Sequence, residues 1–152
     1  MAYRIVLFLV LNFAALAVGG LSTSKGVQTE WYTVLNKAPW TPPGWVFGFA
    51  WTSIMICFSI YLALLWPSIE NKNTFIALYI LQWILNVAWN PVFFSLHLVN
   101  LALLLIVLLT CLIAFLQMYF WSAIKLKSLF ILPYLLWLLI ATSLNAYIAL
   151  KN

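Results

Sequence analysis
Five apolar runs, at about residues 5–24, 44–66, 74–96, 98–121 and 129–150, leave this chain little choice of fold. Each is close to the roughly 20 residues that an α-helix needs to cross the hydrocarbon core of a bilayer. In lipid, every backbone N–H and C=O must be satisfied within the protein, so runs of this length have to be helices. Charged residues make up 6% of the chain and hydrophobic ones 67%. A soluble domain carries about 25% charged residues, so the composition excludes one. The expected fold is an all-α membrane protein, a single five-helix transmembrane bundle over residues 1–152 with a long structured loop between the first two spans.

The charges lie near the ends of the runs or between them. A net charge of +5 with no basic stripe fits anchoring at anionic lipid surfaces, and not nucleic-acid binding. Five spans put the termini on opposite sides. Arg4, Lys72, Lys125 and Lys127 share the amino-terminal side, and Lys25, Lys37 and Lys151 share the other. Four cations against three favour a cytoplasmic amino terminus. Arg4, the following apolar run and Ala15-Leu16-Ala17 also resemble a secretory signal. The run carries on through Val18-Gly19-Gly20-Leu21, however, and Asn12, Ala15, Gly19 and Ser22 share a face suited to close helix packing. Cys57 and Cys111 fall inside apolar runs and read as small packing residues.

Between the first two spans lies Lys25–Pro43, a stretch of 19 residues. Connections above about 12–15 residues are usually functional or disordered. Disordered segments are poor in aromatics, whereas this one holds Trp31, Tyr32 and Trp40. It therefore reads as a lid over the mouth of a cavity, with Trp31, Tyr32 and Trp40 partly buried. The spans below it carry matching stripes at helical spacing: Phe47, Trp51, Met55 and Phe58; Gln82, Asn86, Trp89 and Phe93; Tyr134, Trp137, Ala141 and Asn145, with Leu144 beside them. At 1.5 Å per residue, Trp51, Trp89 and Asn145 lie about 10–12 Å below the lid side, Asn86 and Ala141 about 16 Å, and Trp137 roughly 20 Å. Amides in spans turn away from lipid. They either tie helices together, at about 0.6 kcal/mol each, or line an apolar pocket with a few hydrogen-bonding groups.

Three motifs run in order along nearly the whole chain. The first is Trp31-Tyr32-x-x-Leu35-x-Lys37 followed by Trp40-x-Pro42-Pro43-x-Trp45-Val46-Phe47-x-x-x-Trp51. The second is Gln82-x-x-Leu85-Asn86-x-x-Trp89-x-Pro91-x-Phe93-Phe94, and the third is Pro133-Tyr134-x-x-Trp137-x-x-x-Ala141-x-x-Leu144-Asn145. Together they resemble the TspO/translocator protein family, the tryptophan-rich sensory proteins. The resemblance implies a five-helix bundle, commonly a homodimer, that binds porphyrins such as protoporphyrin IX or haem, and benzodiazepine-type ligands. It implies ligand-binding residues at Tyr32 and Pro42 in the lid, and at Trp51, Asn86, Trp89, Trp137, Ala141 and Leu144 in the wall. It implies sensing, sequestration or transport. Alternatives are light- and oxygen-dependent porphyrin degradation, with Trp51 and Trp137 as the candidate residues, and transport of other small apolar ligands. The chain departs from the family pattern at Lys37-Ala38-Pro39-Trp40, where the proline is moved by one, and at Met55 and Ala102, where the family often has a tyrosine and an aspartate.

Conventional active-site chemistry is not expected. The acids are Glu30 and Glu70, both in loops, and the one histidine, His97, is in a turn and reads as solvated. No metal site, nucleophile–base pair or carboxylate pair can be assembled inside the membrane from these, and no intrinsic cofactor is expected. Leu144-x-x-Tyr147-x-x-x-Lys151 fits a loose sterol-contact pattern.

Overall fold
The computed structural model describes all residues, 1–152. The helices are α1 (Ala2–Gly26), α2 (Glu30–Val34), α3 (Gly44–Leu65), α4 (Lys72–Phe94), α5 (Val99–Tyr119), α6 (Trp121–Ile124) and α7 (Leu132–Lys151). Five of these segments are long and apolar enough to cross a membrane. The spans pack in the cyclic order α3, α1, α4, α5, α7. Their outward faces carry apolar side chains such as Val10, Leu21, Phe49, Ile84 and Leu136. So much exposed apolar surface would drive aggregation in water, and it is the normal state of a helix facing lipid.

Local chemistry sets the helix boundaries. The Asn71 side chain caps α4 by accepting from Thr74 N at 3.1 Å. α3 ends at Leu65 and tightens into a 3-10 turn, Trp66–Ser68, around Pro67. The last span begins later than its apolar run: Lys125–Ile131 is a 3-10 segment, and α7 starts at Leu132. Pro133 suits that first turn, because its missing N–H would be unpaired there anyway. α4 ends at Phe94, two residues short of its run, and Ser95 N and Leu96 N both fold back onto the Pro91 carbonyl at 2.9 Å. His97 completes the reversal into α5 in the left-handed region, at φ 56°.

Polar rungs hold the bundle together. Asn12, 1% exposed, donates to Ser59 Oγ on α3 at 2.8 Å and accepts from Tyr79 OH on α4 at 2.8 Å. One amide thus joins three helices where no water can compete. Higher on α1, Gly19 lies against Asn90: a Cβ there would sit 2.6 Å from Asn90 Nδ2. Thr23 donates to Asn90 Oδ1 at 2.7 Å. Of the small-residue face read from the sequence, Gly19 thus lies at the α1–α4 contact and Asn12 joins α3 as well as α4. Cys57 is half-buried and Cys111 exposed, so only the former packs partly inside.

Candidate functional site
The long loop is not structureless. The Thr29 side chain accepts from Tyr32 N at 3.3 Å and starts the one-turn helix α2. α2 lays its aromatics on the ends of α4 and α5. Trp31 stacks on His97 at 3.9 Å with the rings 14° from parallel, and meets Phe93 edge-on at 5.6 Å. Tyr32 packs on Phe94 at 5.5 Å, with the Lys37 ammonium 4.5 Å from its ring centre. Burial pushes the Tyr32 phenol above its ordinary 10.0, so it stays neutral beside that cation. Further on, Asn36 N donates to Asn152 Oδ1 at 2.8 Å and Trp40 Nε1 to Ser143 Oγ at 3.1 Å. The loop therefore crosses from α1 over the α4–α5 turn to the end of α7 and returns to α3.

Two expectations need correction here. Trp40, expected to be partly buried over the cavity mouth, is 54% exposed, because its indole lies on the outer side of α7, edge-on to Tyr147 at 5.4 Å. The ring of the sterol-pattern tyrosine thus carries a lid tryptophan. His97 is exposed but not merely solvated, since its imidazole is the platform for Trp31. Sequence reading missed His97 because 66 residues separate it from its partner, and nothing in a turn histidine announces a stack.

Below the lid, α4 and α7 run in the same direction and are joined by two rungs. Gln82 Nε2 donates to Tyr134 OH at 2.9 Å, and Trp89 Nε1 donates to Asn145 Oδ1 at 3.0 Å. Asn145 Nδ2 also donates to the Val99 carbonyl at 3.1 Å, which adds α5. The rungs frame a window about 10 Å tall on α4 and about 16 Å tall on α7. Between the rungs lie Asn86 on α4 and Trp137, Ala141 and Leu144 on α7. All four are buried, at 6%, 7%, 9% and 7% exposure. α3 closes the third side in antiparallel register: Trp51 meets Tyr134 edge-on at 6.0 Å, and Phe47 meets Trp137 at 5.3 Å. Trp51 and Trp89 are half-buried, and Pro42 is half-buried at the foot of the lid just before α3. Trp89 stacks on Phe93 at 5.4 Å and meets Phe94 edge-on at 5.9 Å, so the wall reaches Tyr32 through Phe94.

Polar partners inside the window are incomplete. Trp137 Nε1 is buried with no hydrogen-bond partner, as is Gln82 Oε1 at the lower rung. Asn86 takes part only through its backbone carbonyl, which accepts from Asn90 Nδ2 at 3.0 Å, and its side-chain amide is unpaired. Buried polar groups nearly always find partners, so Trp137 Nε1 and Gln82 Oε1, both idle along one seam, stand out. In this conformation the aromatic walls touch one another across the seam, and two open clefts lie elsewhere, under the lid's outer edge and on the outer α1–α4 face. At the far end α3 also packs on the 3-10 segment Lys125–Ile131 that leads into α7.

A five-helix membrane bundle, with a folded lid over a tryptophan- and amide-lined seam, is the class of protein that fold and site define. Comparison with known proteins gives the family. The profile of the TspO/MBR family matches residues 6–150, and the chain belongs to that family. It is 36% identical over 143 residues to the tryptophan-rich protein TspO of Archaeoglobus fulgidus, covering 91% of this chain and 92% of that one. It is 34% identical over 139 residues to the tryptophan-rich sensory protein of Cereibacter sphaeroides, covering 90% and 87% of the two chains. The human translocator protein is 31% identical over 124 residues, covering 79% of this chain and 73% of its own. The chain is thus an integral membrane protein of the same family. Its departures from the family pattern fall on packed positions: Ala38 is 4% exposed, Met55 1% and Ala102 0%.

Proposed function
We propose that the chain is a membrane receptor for a tetrapyrrole such as protoporphyrin IX or haem, bound in the seam between α3, α4 and α7 beneath the lid. Sensing, sequestration or transport of that ligand would be its role, with the amino terminus on the cytoplasmic side. The observation that carries this reading is Trp137 Nε1, buried in the window without a hydrogen-bond partner, beside the Asn86 side-chain amide, which makes no hydrogen bond within the chain. Leaving the buried indole N–H unpaired costs on the order of 1–3 kcal/mol. A ligand that presents an acceptor to the indole and a complementary group to the amide offsets that cost while its flat apolar body fills the aromatic walls. Tyr32 and Pro42 would close over it, and Trp51, Trp89, Ala141 and Leu144 would line it.

The test is a titration of purified protein with protoporphyrin IX in the dark, followed by quenching of its nine tryptophans. Saturable one-to-one quenching, lost in the Trp137→Ala variant, is expected. Linear quenching that is the same in both proteins would remove the site.

A further inference from the structure
The aromatic wall of the seam does not end at the seam. Trp51 meets Tyr134 at 6.0 Å, and from Tyr134 ring contacts continue away from the lid. Tyr134 meets Phe58 at 5.2 Å, Phe58 meets Tyr79 at 6.5 Å, and Tyr79 meets Phe8 edge-on at 5.7 Å. Phe8 packs on Trp66 at 6.2 Å. Phe75 then lies 6.0 Å from Trp66 and 5.9 Å from Phe120, and Phe120 lies 4.8 Å from Tyr119. From Trp51 to Trp66 the path descends about 22 Å along α3. It starts in the seam and ends on Tyr119, 63% exposed at the last residue of α5. The other seam tryptophans lead elsewhere: the ring contacts of Trp137 end at Phe47, and Trp89 leads through Phe93 to Trp31 in the lid.

Edge-on rings are ordinary packing in a core. The order of residue types along this path goes further. Oxidisable rings recur at Trp51, Tyr134, Tyr79, Trp66 and Tyr119, with at most two phenylalanines between one and the next. Electron tunnelling falls off steeply with distance, so a series of short steps between such rings outruns one long jump. Tyr79 OH donates to Asn12 Oδ1 at 2.8 Å, which gives its proton a place to go when the ring loses an electron.

We propose that these rings form an electron relay, by which a one-electron oxidant arising in the seam is reduced from the amino-terminal membrane surface. The relay rests on the porphyrin reading for its oxidant, which is the bound porphyrin after light has driven one of its electrons onto dioxygen to give superoxide. Trp51 returns that electron and becomes a radical cation. Tyr79 refills Trp51 across Tyr134 and Phe58, while its phenol proton shifts toward Asn12 Oδ1. Trp66 refills Tyr79 across Phe8, and the proton returns. Tyr119 refills Trp66 across Phe120 and Phe75, releases its phenol proton to water and is left as a neutral radical. A water-soluble thiol restores Tyr119 by giving up a hydrogen atom and becomes a thiyl radical. In sum, one electron passes from thiol to dioxygen, one proton is released, and the tryptophans of the site end unoxidised.

Spin trapping tests the relay. Wild type in phosphatidylcholine nanodiscs is loaded with protoporphyrin IX and illuminated in air, without thiol and with a nitroso spin trap. Trap adducts are then located by peptide mass spectrometry. Tyr3 is the internal control, since it is 67% exposed at the same membrane surface and lies off the path. Oxidants that diffuse through solution should mark both tyrosines alike. The relay should give Tyr119 several-fold more adduct than Tyr3. Phe8→Leu and Phe75→Leu each break one link far from the seam, and each should bring Tyr119 down to the Tyr3 level with porphyrin titrations unchanged. Equal adducts in wild type, or a Tyr119 excess that survives both variants, would overturn the relay. Absence of saturable porphyrin binding by wild type would count against the receptor reading alone. The same comparison is then made with a ruthenium photo-oxidant, using cobalt(III) as its electron acceptor, tethered at Phe47→Cys one turn from Trp51 in a Cys57→Ala/Cys111→Ala background. The same two outcomes decide the relay there.

Discussion
Asn86 and Asn145 are chemically the same residue in neighbouring helices of one seam, yet only Asn145 makes side-chain hydrogen bonds within the chain. Asn145 makes two interhelical bonds, to Trp89 Nε1 and the Val99 carbonyl, at 3.0 and 3.1 Å. Such bonds average about 0.6 kcal/mol in membrane bundles, with about 1.7 as the largest measured. Asn145→Leu should therefore cost about 1 kcal/mol of stability, and about 3 at most. Asn86→Leu removes no side-chain bond within the chain and replaces an unpaired amide with a side chain of similar size. Its stability should stay within about 0.5 kcal/mol of wild type. Ligand binding should show the reverse for Asn86. Losing one hydrogen bond to a bound ligand costs about 0.5–1.5 kcal/mol, or roughly 2- to 12-fold in affinity. The assay pairs thermal unfolding in detergent, by circular dichroism, with protoporphyrin IX titration of each folded variant. If Asn86→Leu loses as much stability as Asn145→Leu and keeps wild-type affinity, the amide is helix glue and the reasoning fails.

Trp51→Ala and Trp137→Ala should each weaken porphyrin binding several-fold or more while helix content holds, since ring stacking adds about 0.5–1.5 kcal/mol beyond area burial. Unchanged titrations in both would exclude these walls. His97→Ala removes the platform for Trp31 and should raise amide exchange across α2 without lowering the unfolding temperature of the bundle. Exchange identical to wild type would mean that the 3.9 Å stack does not hold the lid. Gly26→Ala places a Cβ 2.5 Å from Phe94, and overpacking of this kind costs about 1–3 kcal/mol. Its unfolding temperature should fall, and an unchanged one would show that the α1 end yields freely.

What could be read from sequence followed what lipid makes compulsory. The five spans were legible because a run of about 20 apolar residues has only one way to satisfy its backbone. Gln82, Asn86 and Asn145 were legible as inward residues because an amide in such a run has nowhere else to go, and all three are buried. The partner of each was not legible. That Asn145 meets Trp89 while Asn86 meets nothing depends on helix register and rotation, which the stripe leaves open. α2 escaped notice because five residues are too few to show a periodicity. The late start of α7 was hidden for a different reason: Leu129 through Leu132 are as apolar as the helix they precede, and only Pro133 hints at the boundary. The α1–α4 cleft also lay outside sequence reading, since it is made by two helices leaving space between them.

The claim at the centre of this account is that a ligand enters the seam under the lid, and amide hydrogen exchange across residues 27–43, with and without saturating protoporphyrin IX, tests it most directly. Lid and ligand would cover each other's apolar surface, so exchange at Trp31, Tyr32 and the residues up to Pro43 should slow when the ligand is bound. Equal exchange in both states, with binding confirmed in the same sample by tryptophan quenching, would place the ligand elsewhere and contradict the account.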